Sequence, residues 1–303
     1  MKISFVIPVY NGARLFPRAV GSILRDGGAG DLEVVLVDDG STDDSAEVAR
    51  DLVRRYGDKV VYVHQENKGA AAARNHGVDV SSGEWVWFLD CDDELAEGAV
   101  SAFRDFVADD RGLEVVLGGY EVRNGEKVRR KVPRLNGRGR VARVLDYLIH
   151  KKLSISQGAF VLRRDVAERI RYSEELGQSE DIPVFVQVLL CEHVAVLERN
   201  LAVINRREGS VRNDAVRALE AGPRVADVVF AIPGLPREVM RYRVRYKASR
   251  CLSAGRILFR GGMVKEARRV FWAGVRVYPL SLLRGRAVKF VLRAYLTSPA
   301  RAD

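Results

Sequence analysis

Apolar runs and amphipathic stretches alternate through the first hundred residues. Ile3-Ser4-Phe5-Val6-Ile7 is rich in β-branched and aromatic residues and leads to a turn at Asn11-Gly12, which predicts a strand. Phe16, Ala19, Val20, Ile23 and Leu24 share one helical stripe, closed by Gly27, Gly28 and Gly30. The apolar run over Glu33–Val37 suits a strand buried on both faces of a parallel sheet. Ser41 or Thr42 before Asp43-Asp44 announces a second helix, with Ala46, Ala49, Val53 and Tyr56 on its stripe. A short strand over Val60–Val63 follows, then a helix over Gly69–Val80 built on four consecutive alanines. A strand over Glu84–Leu89 and a helix over Leu95–Ala108 complete the series. The β-α-β-α-β-α-β order predicts an α/β fold, a mostly parallel sheet with helices on both faces. Ligands on such sheets bind beyond the carboxyl ends of the strands, here just after Val9, Val37 and Leu89.

Later segments are less regular. Arg123–Arg143 is basic and carries Asn124-Gly125 and Asn136-Gly137, which predicts a mobile loop or a hairpin. Glu180–Leu190 is helical in pattern, with Pro183 in the first turn where proline is tolerated. Val194–Ile204 suits one or two strands, and the chain turns helical and arginine-rich after Val211. The expected division is 1–212, with a nucleotide-side half 1–110 and an acceptor-side half 111–212, then a basic helical region 213–303.

Charge changes this picture at one end. From Arg241 onward there are 16 basic and 2 acidic residues, +14, whereas the preceding 240 residues carry 34 basic and 38 acidic, −4. A mildly acidic body with a basic tail argues against a nucleic-acid-binding protein. Cys91, Cys191 and Cys251 lie far apart, with no zinc or disulfide spacing, which fits a reducing, cytoplasmic compartment. The opening apolar stretch is short and contains Pro8, so it predicts a strand rather than a targeting segment.

Acidic residues stand where the strands end. Asp38-Asp39-Gly40-Ser41 follows the second strand. Ser41 and Asp43 suit helix capping, and the two aspartates suit a base imide or ribose hydroxyl. Asp90-Cys91-Asp92-Asp93 follows Leu89. Three carboxylates in four residues repel one another unless a cation offsets them, and one Asp suffices for a helix cap, so a hard divalent ion is expected. Lys68 and Arg74 flank a helix start that suits a diphosphate, with a solvated helix face as the alternative. Glu180-Asp181 is equally compatible with acidic residues favoured by a helix N-terminus.

Taken in order, Ser4–Gly12, Val37–Asp43, Asn67-Lys68-Gly69 with Ala73-Arg74-Asn75, and Phe88–Asp93 resemble the family 2 glycosyltransferases of the GT-A fold. The resemblance implies a metal-dependent, inverting transfer of a sugar from a nucleoside diphosphate sugar, UDP-linked by family frequency, to an acceptor hydroxyl. It places Pro8, Tyr10 and Asn11 in the nucleotide cleft, Asp39 on the base, and Lys68 and Arg74 on base or diphosphate. Asp92 becomes the direct ligand of Mg²⁺ or Mn²⁺, and Asp90 reaches ribose, or the metal through water. Asp181 becomes the general base. Glu180, Arg206 and Ser210 fall on the acceptor side, where the likeness is looser.

Two other functions compete. A sugar-nucleotide pyrophosphorylase would open with a glycine-rich loop, whereas only Gly12 follows the first strand. A non-enzymatic nucleotide- or nucleic-acid-binding protein would use the basic tail for phosphates. That tail mixes arginine with Phe259, Trp272 and Phe290, and breaks at Gly261-Gly262 and Pro279 predict several short helices. It is either a helical appendage packed on the core or a surface that lies on anionic lipid at the inner membrane face, near a glycan or lipid-linked acceptor.

Overall fold

A computed structural model of the chain describes residues 1–27, 31–110, 112–135, 139–206 and 214–283. The first part runs β1 (Ile3–Val9), α1 (Phe16–Asp26), β2 (Leu32–Asp39), α2 (Ser45–Tyr56), β3 (Val60–Gln65), α3 (Ala70–Val80) and β4 (Trp85–Phe88). Then come β5 (Glu94–Leu95), α4 (Ala99–Ala108), β6 (Val115–Asn124), β7 (Lys127–Lys131), α5 (Arg140–Leu145), β8 (Phe160–Arg163), α6 (Arg164–Arg169), α7 (Asp181–Leu190) and β9 (Val194–Asn205). The chain continues as α8 (Ala215–Phe230), α9 (Arg237–Met240), α10 (Arg243–Arg260) and α11 (Val264–Val277).

The chain divides into two compact units, Met1–Glu174 with Val184–Arg207, and Glu175–Pro183 with Glu208–Asp303. The first contains a nine-stranded sheet in the order β3-β2-β1-β4-β8-β6-β9-β5, with β7 added on β6. β1 to β4 are mutually parallel, as the apolar runs predict. The sheet then becomes mixed, because β8 runs antiparallel to both β4 and β6. Along β1, Ile3, Phe5, Ile7 and Val9 enter one core with Trp85, Trp87, Phe16 and Ile23 of α1, and Phe103 of α4. The opposite face receives α3, whose Ala73 packs on Val35 and Val37. At Gly77 a Cβ would lie 2.3 Å from Val6 Cγ1, so only glycine lets this helix approach so closely.

The sequence places the start of α4 at Leu95, but Glu94-Leu95 is a strand paired with β9. The helix begins at Ala99 because Asp26, at the end of α1, accepts the N–H groups of Gly98 and Val100. α2 begins at Ser45 rather than beside Ser41 or Thr42, whose polar groups are engaged with Asn11. Arg123–Arg143 contains the β6–β7 hairpin, and Asn136 to Arg138 lie outside the described residues. Val194–Asn205 is one strand, with register shifts opposite Gly118 and Gly119.

In the second unit α10 packs between α8 and α11. Cys251, Ala254, Leu258, Ala267, Phe271 and Val275 form its apolar core. Gly261-Gly262 separates α10 from α11, and Pro279 follows the end of α11, where the sequence puts its breaks. Arg243, Arg269 and Arg276 are exposed. Among the described residues no helix is long and apolar enough to cross a membrane.

Candidate active site

The turns after β1 and β2 are stitched together. Asn11 takes a left-handed conformation, φ 49°, which asparagine tolerates better than most residues. Its N–H donates to Ser41 Oγ at 2.9 Å, and its Oδ1 accepts from Thr42 N at 2.8 Å. The next two N–H groups donate to Ser45 Oγ and to Asp43 Oδ2. Pro8 is buried at the end of β1, while Tyr10 is half exposed and offers a ring face.

The two carboxylates at the end of β2 have different surroundings. Asp38 is 1% exposed and accepts from the Ser41 N–H and, at 2.9 Å, from the Tyr62 hydroxyl, with His64 Nδ1 at 3.4 Å. Burial opposes its charge, but these bonds outweigh burial and hold the carboxyl below its usual range. Burial and that same bond push the Tyr62 phenol up to about 12. Asp39 accepts from Gln65 Nε2, Lys68 N and Gly69 N, each at 2.8 Å. A carboxylate offers about four lone-pair directions, so these three bonds leave one. Gly40 follows at φ +71°, where a Cβ would meet the Asn67 N–H at 2.8 Å. Lys68 is exposed beside it.

Beyond β4, ligand oxygens of Asp90, Asp92 and Asp93 lie within 4.8 Å of one another. Asp93 is buried and accepts the Asn205 N–H at 2.8 Å. The Asp92 carbonyl accepts from Arg18 Nη2 and Asn205 Nδ2, so α1 and β9 brace the loop from two sides. Arg74 of α3 is 4% exposed, and its Nη2 donates to Asp90 Oδ1 at 2.7 Å. Its guanidinium lies 5.1 Å from the Tyr172 ring centre, and Gln157 Nε2 donates to the Tyr172 hydroxyl at 2.7 Å. Arg74 and the aspartates are legible in the sequence, whereas Arg18, Gln157, Tyr172 and Asn205 are not. No local motif marks these four, which reach the site through tertiary packing.

The donor set is oxygen-only and anionic, which suits a hard divalent cation. Asp90 and Asp92 are half-buried and border the solvent side, whereas Asp93 is committed to β9. The residues therefore fit a metal held through Asp92 and Asp90.

Asp181 opens α7 with Glu180 just before it, and both belong to the second unit, where Ser179 Oγ accepts from Arg250 of α10. Burial raises the Tyr246 phenol of the same helix, and the Asp181 charge adds to that rise. Arg206 is exposed after β9, and its N–H donates to the Arg123 carbonyl. Ser210 lies outside the described residues.

Comparison with known proteins matches residues 4–171 to the family described as Glycosyl transferase family 2. The chain is similar to the glycosyltransferase GlyG of Streptococcus pneumoniae serotype 4, 38% identical over 119 residues, 39% of this chain and 38% of GlyG. It is also similar to the minor teichoic acid biosynthesis protein GgaA of Bacillus subtilis, 29% identical over 214 residues, 68% of this chain and 47% of GgaA. The matches therefore span less than half of either relative. S. aureus TarS 1-349 in complex with UDP-GlcNAc shares the fold at a TM-score of 0.60 and 18% identity, over 93% of this chain and 92% of that one. The mannosyltransferase PcManGT from Pyrobaculum calidifontis, in complex with GDP-Man and Mn2+, aligns at a TM-score of 0.59 and 17% identity, over 97% and 84% of the two chains. With more than half of its length matched by the family model, and with the carboxylates grouped at the strand ends, the chain belongs to glycosyl transferase family 2.

Proposed function

We propose that the protein is an inverting glycosyltransferase that moves a sugar from a nucleoside diphosphate sugar, UDP-linked, to an acceptor hydroxyl. The observation that carries this reading is the grouping of Asp90 and Asp92 beside buried Arg74, at the carboxyl end of a parallel sheet. Family membership and neighbours solved with UDP-GlcNAc or GDP-Man support it. Asp39 and Tyr10 hold the base and ribose, with Pro8 and Asn11 shaping that wall. Lys68 and Arg74 face the diphosphate. Asp92 and Asp90 hold Mg²⁺ or Mn²⁺, which supplies positive charge to the departing diphosphate.

In the transfer the acceptor oxygen bonds to the anomeric carbon as the bond from that carbon to the phosphate oxygen breaks. The electron pair leaves with the diphosphate. The acceptor proton passes to a carboxylate, assigned to Asp181, with Glu180 orienting its neighbour. One displacement inverts the anomeric centre. The GgaA likeness supports a cell-surface glycan or lipid-linked acceptor, reached from the cytoplasmic side with the arginine-rich helices against anionic lipid.

The test is a thermal-shift screen of nucleotide sugars with and without Mn²⁺. Metal-dependent stabilisation is expected in the parent protein and is lost in Asp92→Ala, whose melting without ligand stays close to that of the parent. Full transfer in excess chelator, or in that variant, sinks the assignment.

A further inference from the structure

The β6–β7 hairpin carries a second surface, on the same side of the sheet as the candidate site. β6 and β4 are each antiparallel to β8, so they run in one direction, and β6 continues past the level at which β4 ends. The turn end of the hairpin is close to the acidic loop. Arg123 pairs in register with Asn205, the residue whose N–H and side-chain amide hold Asp93 and the Asp92 carbonyl. The chain reverses at Gly125-Glu126, with Asn124 opposite Lys127, and returns as β7 with all five residues exposed.

Strand periodicity sorts the charges of this hairpin onto two faces. On one, Arg123 and Arg130 both donate to Glu121, which neutralises part of their charge. On the other stand Lys127, Arg129 and Lys131, which form no ion pair among the described residues. Lys131 rests 5.8 Å from the Tyr120 ring centre. Successive members of this row are about 7 Å apart, two residues along a strand. Charged side chains also protect an edge strand from pairing with another chain. Charge of either sign achieves that, whereas this row is of one sign, on one face, and begins beside the acidic loop.

We propose that Lys127, Arg129 and Lys131 bind phosphate groups carried along the acceptor chain, so that a phosphodiester-bearing glycan or polyol is steered toward the site. This assignment rests on the transferase reading above. A linear row suits a linear polyanion. A lipid surface is the poorer fit, because the exposed apolar residues of the hairpin, Val128 and Val132, fall on the opposite face.

The test compares the full chain with its Lys127→Gln/Arg129→Gln/Lys131→Gln variant, using long-chain inorganic polyphosphate as the probe. The parent should bind polyphosphate with strong salt dependence. The variant should bind at least tenfold more weakly at low salt, and the slope of log K against log salt should be shallower by about 2, at about 0.7 per neutralised phosphate. A second variant, Lys127→Arg/Arg129→Lys/Lys131→Arg, should bind as the parent does. Melting temperature and the thermal shift with UDP and Mn²⁺ should be alike in all three. Equal affinity and slope in the parent and the glutamine variant overturn the proposal. So does a loss seen only with vesicles of phosphatidylglycerol and phosphatidylcholine in equal parts, which would make lipid the ligand. If no nucleotide sugar stabilises any form, the transferase reading fails and takes the acceptor assignment with it, whatever polyphosphate does.

Discussion

Arg74 is held from beneath by an aromatic ring and from the side by a carboxylate. A buried guanidinium over a ring gains about 2 kcal/mol or more, enough to fix which donors point into the site. Tyr172→Leu removes that support. It should raise the donor KM several-fold while leaving kcat within about threefold, measured in steady state with saturating metal. Tyr172→Phe keeps the ring, loses the bond from Gln157, and should cost about 1 kcal/mol of stability with little change in KM. For Asp181→Asn, nucleotide affinity by calorimetry should be unchanged and transfer should fall by about 10²–10⁴-fold. Normal transfer in that variant, or loss in Glu180→Gln alone, moves the base elsewhere. The sequence exposes Arg74 because it sits in an alanine stretch beside other polar residues, whereas Tyr172 lies in an unremarkable loop and gains its role only through folding.

Elements are legible where their periodicity is complete within one segment. β1, β2 and α3 announce themselves by apolar runs and alanines, because most of the residues that each buries are apolar and lie within one continuous segment. β5 does not, since a two-residue strand exists only by pairing with β9. The start of α4 is set by Asp26 from another helix, a cap that no local pattern contains. The contact of α3 with β1 is tight enough to test. Gly77→Ala places a methyl against Val6, and overpacking of this kind should cost about 1–3 kcal/mol in urea denaturation. Another prediction concerns the amino ends of the strands. Glu33 of β2 is buried, but bonds from Lys2, Ser4 and Ser82 outweigh that burial and hold its carboxyl at about 2, below the ordinary 4.5. A depressed folded-state pKa contributes stability that is complete above about 4.5 and is lost as pH falls through about 2. The contribution is on the order of 2–3 kcal/mol. Glu33→Gln should therefore melt lower than the parent at neutral pH, and the two curves should converge toward pH 2.

At the scale of the whole molecule, the charge asymmetry is plain in the sequence, but its placement is not. The apolar residues of the basic tail include a core formed by α10 and α11, so these helices are part of a folded unit and not only a decorated surface. Truncation after Glu238 would remove that core and leave the α8 residues that pack on it, Ala215 and Leu219, without their partners. Ending the chain after Leu283 instead keeps both helices and removes five of the sixteen basic residues counted from Arg241. Binding to phosphatidylglycerol vesicles should weaken in the shorter chain and should fall with added salt in both. Unchanged vesicle binding would assign the lipid contact to the helices or dismiss it. The division of the chain has a practical consequence for recombination. Glu175–Pro183 belongs with the second unit although it lies between two stretches of the first. A chimera joined only near residue 207 would separate Glu180 and Asp181 from the helices with which they cluster. A graft that keeps the second unit whole needs three junctions: before Glu175, after Pro183 and before Glu208.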